Sequence, residues 1–377
     1  MPAVENVAIV GAGIASLAAA IRLADAGIGV DIFEQREELS LTGSGITLQG
    51  NALRALDQVG VWDEVRQHGY TFDGLVLRAP GPAAKVVAEI PEVATGGPEY
   101  PAGMGMYRPE LAKIMLNHAQ RLGVRIHFAH PVTSFSQSDT TVSLEIAGKP
   151  SGEFDLLIGA DGLHSTVRDC MGITTVPEHT GMGIWRTVVS RPAEVTGTEL
   201  YYGGPLYIAG YTPTSEDQMY AFLVEKAQDR SGLRGAEAAN IMTELSHGYG
   251  GPWESIRRDL GQEQQANYTW FTHHIVAEPW NIGRVVIIGD AAHSCPPTVA
   301  QGAAQGLEDA IVLTELLTTH NTVSSALWDE FHRRRIPRAR DVVECSVQLA
   351  QWQIDQDPQA DAVTLISELA QRMAVAV

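Results

Sequence analysis

Apolar residues follow two rhythms along the chain. Short apolar runs, Val7–Val10, Val30–Phe33, Leu156–Ile158 and Val285–Ile288, each stop at or beside a glycine or a carboxylate. Runs of that length bounded by turn residues read as strands buried on both faces of a parallel sheet. Longer stretches repeat every three to four residues and predict helices. The first is Ile14–Arg22, stopped by Gly27 and Gly29; others cover 51–60, 107–122, 165 onward, 236–245, 305–317 and 326–350, and a last one reaches Val377. Between 173 and 279 the pattern changes to short strand-like pieces and turns in which tryptophans and tyrosines recur, and 72–101 shares that style. Together these predict an α/β chain, with a Rossmann-like domain, an inserted β-sheet domain and C-terminal helices. The expected boundaries are 1–71, 102–172 and 280–325 for the first domain, 72–101 and 173–279 for the second, and 326–377 for the helical segment.

The first turn carries chemistry. Val7–Val10 runs into Gly11-Ala-Gly13-Ile14-Ala15-Ser16, a helix follows, and the second strand ends at Glu34-Gln35-Arg36. Gly11 permits the tight turn, and Gly13 lets backbone approach a pyrophosphate at the helix N-terminus, where free N–H groups favour negative charge. Glu34 lies 21 residues after Gly13, near the roughly 20 expected of a carboxylate that binds ribose hydroxyls. Ser16 stands at the third glycine of the fingerprint and is small enough to keep helix and strand close. The unit is therefore expected to hold an adenine dinucleotide.

Composition narrows the partners. Of 377 residues, 45% are hydrophobic and 19% charged, which suits a globular chain with a sizeable core. A net charge of −19 argues against nucleic acid and anionic membranes, which both need basic surface. Cys170, Cys295 and Cys345 are odd in number with no C-x-x-C, as in a reducing compartment. The start lacks a basic leader region, and the uncharged stretch Val7–Ile21 is only 15 residues, so a cytoplasmic chain without a membrane span is expected. The twelve histidines form no H-x-D, H-x-E or H-E-x-x-H pattern, so no metal site is expected. Gly148-Lys149 is followed by Pro150, which excludes a Walker A loop.

Two more segments complete a constellation: Gly159-Ala-Asp161-Gly162-Leu-His-Ser165-Thr-Val-Arg168, and Gly289-Asp290-Ala-Ala-His293 through Pro297 to Gln301-Gly302-Ala303 and Glu308-Asp309-Ala310. With the first turn, their order and spacing resemble the single-component FAD-dependent aromatic hydroxylases of the para-hydroxybenzoate and salicylate hydroxylase type. The resemblance implies that Asp290 binds the ribityl chain of FAD. It puts Gly302 and Ala303 at the flavin's pyrimidine end and Pro297 beside its reacting face. Arg108 would reach the FAD phosphates, and Gly45 and Ile46 would line the isoalloxazine. Asp161 and Arg168 would serve the structure joining the flavin and nicotinamide regions, although Asp161 also suits an N-cap of the next helix. Four positions depart from the family pattern: Ser16, Ser294 after the histidine, Ala300 before the glutamine, and Ala304.

The same resemblance implies the reaction. NADH or NADPH reduces FAD, O2 adds to give a C4a-hydroperoxide, and a small electron-rich aromatic such as a phenol, hydroxybenzoate or hydroxypyridine takes the distal oxygen. Without a second G-x-G between strand and helix, NAD(P)H is expected to visit transiently. Pro297 and His293 are the candidate catalytic residues. Arg186, Tyr211 and one of His273-His274 are the candidate substrate contacts, Arg186 suiting a carboxylate or phenolate. The aromatics between 185 and 270 are expected mostly in the core, with two or three of the rings touching the substrate, and the arginines at 333–340 on a solvated helix face. A monomer or homodimer is expected. The rival readings are a same-fold epoxidase, halogenase or reductase on a non-aromatic substrate, and a flavin binder without turnover.

Overall fold

The computed structural model describes residues 1–39, 43–147, 149–230, 232–233, 235–262, 266–277 and 279–377. Residues 40–42 of the expected glycine-rich loop and Gly148 of the excluded Walker motif lie outside the described residues.

The buried apolar runs form one six-stranded sheet. Its order is Asn281–Ile282, Val285–Ile287, Leu156–Gly159, Asn6–Val10, Gly29–Phe33 and Arg125–His127. All its pairings are parallel except that of the first two strands. Helices Ile14–Asp25, Arg108–Arg121 and Gly302–Thr319 contribute buried apolar faces to the same core, which explains why the central strands Asn6–Val10, Leu156–Gly159 and Val285–Ile287 are almost wholly apolar rather than alternating, while Asp31 pairs with Arg125 and His127 toward the edge. The chain is therefore an α/β protein with a Rossmann-like half.

The second half is an eight-stranded sheet, which we call the platform. It runs His293–Ser294, Asn267–Ile275, Glu178–Ser190, Gln218–Lys226, Ile208–Pro213, Thr198–Tyr202, Gly74–Arg78 and Val86–Pro91. Here the alternation of side chains decides function. In register, Tyr211 opposes Ala221 and Ala221 opposes Thr187, whereas Arg186 opposes Phe222. Trp185, Tyr201, Tyr211, Ala221 and Leu223 thus share one face, packed with Tyr249 and Trp253 into a separate core. Arg186, Tyr220 and Phe222 share the other. A small sheet, Gly45–Gln49, Gly103–Tyr107 and Tyr70–Phe72, lies against that second face. The contact is close at Gly45, where an added Cβ would fall 2.0 Å from the Tyr220 ring.

The long helix Ser325–Asp355 leaves the Rossmann half and reaches the platform, where Ala350 and Ile354 join Ile184, Val224 and Phe271. Helix Ala362–Ala374 follows it and is clamped at its C-terminal end. Arg338 donates to the carbonyls of Arg372 (2.8 Å) and Met373 (2.9 Å), and Arg54 to that of Ala374 (3.1 Å). Among the described residues no helix is long and apolar enough to cross a membrane, and no group of three or more His, Cys, Asp or Glu could hold a metal ion.

Candidate functional site

The first turn forms one wall of a cleft of about 430 Å³, lined by Gly11, Gly13, Ile14, Glu34, Gln35, Arg36, Arg108, Pro131, Val132, Asp161, Gly162 and His164 among others. Gly11 has φ +94°, and a Cβ there would meet the Ala160 carbonyl oxygen at 2.5 Å, so the turn is pressed against the second motif. A Cβ at Gly13 would meet nothing within 4 Å. It would project into open space at the N-terminus of helix Ile14–Asp25, whose first turn has no side-chain cap and no acidic residue. A diphosphate fits that place: the donors are main-chain N–H groups, and Gly13 leaves them uncovered. Ser16 is fully buried and donates to the Gly11 carbonyl at 2.5 Å, so its hydroxyl is satisfied inside the turn. The Glu34 carboxylate accepts from the backbone N–H of Ala12 and of Arg36, each at 2.9 Å, which fixes it at the strand end with acceptor capacity left over.

Asp161 stands at the cleft and supports the start of the next helix, but it is not that helix's N-cap. It lines the cleft, and it accepts from the Ser165 hydroxyl (2.5 Å) and from the Val167 N–H (3.1 Å) at the start of helix Thr166–Cys170. Ser165 is the N-cap residue itself, accepting from Arg168 N–H at 2.9 Å. Burial pushes the Asp161 carboxyl upward, against the pull of these hydrogen bonds. Arg168 is buried and donates to the carbonyls of Leu163 (2.9 Å) and Ala291 (3.1 Å) and to His274 Nε2 (3.2 Å). It thereby ties the second motif to the third.

The third motif begins where strand Val285–Ile287 ends. Asp290 is exposed toward open space yet crowded by protein, and the lost hydration pushes its carboxyl up, with His293 and Arg108 pulling it down. Such an acid fits a partner that brings hydroxyl donors. Pro297 is exposed in the same stretch, Ala300 adopts φ +52°, and Gly302 and Ala303 begin helix Gly302–Thr319 without a side-chain cap.

Beneath this loop is a buried charge cluster. Asp309 accepts from the Gly289 N–H (2.9 Å), His293 Nε2 (2.7 Å) and Arg335 Nε (2.7 Å). Glu308 accepts from Asn51 (3.0 Å), from Arg335 (3.0 Å) and from Arg338 (2.7 and 2.8 Å). Burial alone would raise both carboxyls. Arg338 and Arg335 bring Glu308 below its usual value, and His293 and Arg335 do the same for Asp309. Gln301, next to Gly302, is held by Asn51 at 2.9 and 3.0 Å.

The platform face that carries Arg186, Tyr220 and Phe222 packs beside the small sheet. Tyr220 Oη and Thr47 Oγ1 share a hydrogen bond of 2.8 Å, and the Tyr220 and Phe222 rings lie 5.5 Å apart. Arg186 is half-buried there and donates to Thr269 Oγ1 at 3.0 Å. Arg108, which lines the cleft, is near enough to act electrostatically on both Arg186 and Asp290.

The sequence profile of the family described as FAD binding domain matches residues 5–346. The chain belongs to this family. It is 30% identical over 360 residues to the "Putative FAD-dependent monooxygenase YetM" of Bacillus subtilis (strain 168), covering 95% of this chain and 96% of that one. It is 27% identical over 358 residues to the 3-amino-4-hydroxybenzoate 2-monooxygenase of Streptomyces cremeus, covering 92% and 87%. A crystal structure of a variant of 2-methyl-3-hydroxypyridine-5-carboxylic acid oxygenase superposes with a TM-score of 0.79 at 25% identity, over 98% of this chain and 96% of that one. The chain is thus an FAD-dependent monooxygenase of the aromatic-hydroxylase type.

In this monooxygenase several expected residues fall elsewhere. Tyr211, expected at the substrate, is fully buried on the opposite platform face, donating to Glu199 at 2.5 Å. Strand alternation is the reason, since Tyr211 shares its face with Thr187 and not with Arg186. His274 is buried too. Arg168 can only donate, so His274 Nε2 accepts and its Nδ1–H donates to Ser294 Oγ at 2.7 Å. Burial pushes that imidazole down to about 4. His293, a catalytic candidate, is buried and turned into Asp309. The arginines at 333–340 are not all solvated: Arg335 is fully buried and Arg338 nearly so, because Glu308 and Asp309 on the neighbouring helix need counter-charges. Tyr220 and Phe222, which share a face with Arg186, are the candidates the chain did not single out from its aromatic cluster. Residues 218–226 are apolar on both faces of the strand, so alternation alone does not select one.

Proposed function

We propose that the enzyme uses NAD(P)H and O2 to hydroxylate a small electron-rich aromatic ring, a phenol, hydroxybenzoate or hydroxypyridine, beside the platform face that carries Tyr220 and Phe222. The observation that carries this reading is the aromatic wall of Tyr220 and Phe222 on the small-sheet strand Gly45–Gln49. A planar ring fits such a wall. The names of relatives that act on an aminohydroxybenzoate and on a hydroxypyridine carboxylic acid support it.

Bound FAD would supply hydride acceptance and oxygen activation. The chain's residues would hold and shield it. Gly11, Gly13, Ile14, Ala15, Ser16 and the helix N-terminus would take the diphosphate. Glu34, Gln35 and Arg36 would face the adenosine end, and Arg108 the phosphates. Asp161 and Arg168 would hold the turn between the motifs. Asp290 would accept from ribityl hydroxyls, Gly302 and Ala303 would donate N–H groups at the flavin's far end, and Gly45, Ile46 and Pro297 would flank the ring. We assign 1–71, 102–172 and 280–325 to the FAD domain and 72–101 with 173–279 to substrate. A cytoplasmic monomer or homodimer completes the proposal.

The test is NAD(P)H consumption by FAD-loaded enzyme across phenols, hydroxybenzoates and hydroxypyridines, with peroxide and product mass followed. A ligand that speeds consumption, leaves little peroxide and gains one oxygen supports the proposal. No stimulation with FAD firmly bound, or a product without an added ring oxygen, defeats it. Asp290→Ala checks the cofactor placement. Wild-type FAD affinity in that variant would remove Asp290 from the site.

A further inference from the structure

We propose that Asn51 is a positioning residue for the flavin: paired with Gln301, it fixes the free end of helix Gly302–Thr319 and thereby sets the reduction potential of bound FAD. This rests on the reading that Gly302 and Ala303 donate at the flavin's far end.

Asn51 stands at the start of helix Gly50–Gln58, directly after the small-sheet strand Gly45–Gln49, and it is buried. Its amide is fully used. Nδ2 donates to Gln301 Oε1 (2.9 Å) and to Glu308 Oε1 (3.0 Å). Oδ1 accepts from Gln301 Nε2 (3.0 Å) and from Thr95 Oγ1 (3.2 Å). Two donors and two lone pairs are thereby spent. Asn51 and Gln301 form a two-bond amide pair between segments 250 residues apart. Only one orientation of the Asn51 amide works, because a flip would set Oδ1 against the Glu308 carboxylate. The pair is backed in turn. Gln305 Nε2 donates to Gln301 Oε1 at 3.4 Å, and Arg335 donates to Gln305 Oε1 at 2.8 Å. A buried network satisfied to this degree specifies one arrangement.

The segment on the other side of the pair needs holding. Ala300 has φ +52°, a left-handed conformation that is unfavourable for a residue with a Cβ. Such backbone persists where its surroundings over-determine it, and Gln301 is the next residue. Gln301 also precedes the first turn of the 18-residue helix Gly302–Thr319. With its side chain turned to Asn51 it does not cap that turn, and no acidic residue stands in it. The first N–H groups of the helix are therefore left for an outside acceptor. Reduction puts negative charge on a flavin, and a helix N-terminus favours negative charge only within its first turn. A displaced Gln301 would move that turn and weaken the preference for the reduced form. Asn51 acts through Gln301 and takes no part in the chemistry itself.

The experiment is a redox titration of FAD-loaded wild type, Asn51→Leu, Gln301→Met and the double variant, with urea unfolding measured alongside. Each single variant should lower the two-electron midpoint potential by about 30 mV, which is a tenfold weaker hold on reduced relative to oxidised FAD. That size lies within the range for a charge at a partly buried helix end. The double variant should shift no further than the larger single shift, since both substitutions remove one pair. A purely structural pair would cost urea stability and leave the potential alone. A wild-type or raised potential in either single variant overturns the proposal, as do shifts that add in the double variant. If Asn51→Leu fails to fold, the potential of Gln301→Met decides by the same criterion. Asp290→Ala separates the two levels. If it weakens FAD binding while the pair variants keep the wild-type potential, this proposal falls and the cofactor placement stands. If Asp290→Ala keeps wild-type FAD affinity as well, both fall.

Discussion

The two places that we assign to the cofactor are built from different materials. The cleft at the first turn is made of main chain: an uncovered helix N-terminus, Gly13 facing open space, and Gly11 pressed on the Ala160 carbonyl. The loop carrying Asp290, Pro297 and Gly302 is held by side-chain charge. Gly289 N–H and His293 both lean on Asp309, and Asp309 leans on Arg335, which comes from a helix further along the chain. A main-chain site fails when a Cβ intrudes. A loop held by charge fails when one ion leaves, because the others remain buried without it.

The largest expected effect follows from the second case. Arg335→Met removes four hydrogen bonds, from two buried carboxylates, a side-chain amide and a backbone carbonyl, and should cost about 3–5 kcal/mol in urea unfolding, the range for breaking a buried ion pair. Acid dependence should report the same cluster. Glu308 and Asp309 sit below their ordinary values of 4.5 and 3.8, so their stabilisation is complete above those values and is lost as pH falls through the folded-state values. An unchanged urea midpoint in Arg335→Met would mean the loop does not depend on this charge.

Gly11→Ala comes next. Its positive φ and the 2.5 Å approach to a carbonyl oxygen mean that the backbone must move. A loss of about 2–4 kcal/mol is expected, combining left-handed strain with overpacking. The neighbouring Gly13→Ala separates folding from binding. Nothing in the protein lies within 4 Å of the new methyl, so the apoprotein should melt close to wild type. Excess FAD at 100 times the wild-type Kd should stabilise wild type by about 2.7 kcal/mol and the variant by much less. Equal stabilisation of both proteins by FAD would take the diphosphate away from this turn.

The same division explains what could be read from the residues. Gly11, Gly13 and Glu34 announce a dinucleotide cleft because the turn, the helix and the acid are neighbours in sequence and the chemistry is in the backbone. The four parallel strands were legible for a similar reason, as apolar runs too short for helices. Arg335 was not, because an arginine row on a helix reads as solvated until Glu308 and Asp309 are known to lie across from it. Tyr211 and Tyr220 are nine residues apart in sequence on adjacent antiparallel strands. Only the register puts one in a sealed core and the other on the side facing the small sheet, and register is set by pairings that local pattern does not reveal.

The smallest expected effect tests whether Asp290 is strained for the sake of the cofactor. Its carboxyl is pushed up by lost hydration, so in the apoprotein the ionised form is less favourable than it is in water. A carboxyl raised on folding subtracts stability above its folded-state value and subtracts none below the unfolded one. Asp290→Asn keeps the shape and has no charge to lose. The apo variant should therefore melt slightly above wild type at neutral pH, and the gap should close as pH falls toward the ordinary value of 3.8. Its FAD affinity should fall at the same time, because an amide oxygen is a weaker acceptor for sugar hydroxyls than a carboxylate. Higher apo stability with weaker FAD binding would show that the loop keeps a disfavoured charge for its ligand. If Asp290→Asn melts below wild type at neutral pH, Asp290 instead holds the apo loop together, and the contrast between the ligand-facing acid and the buried acids beneath it disappears.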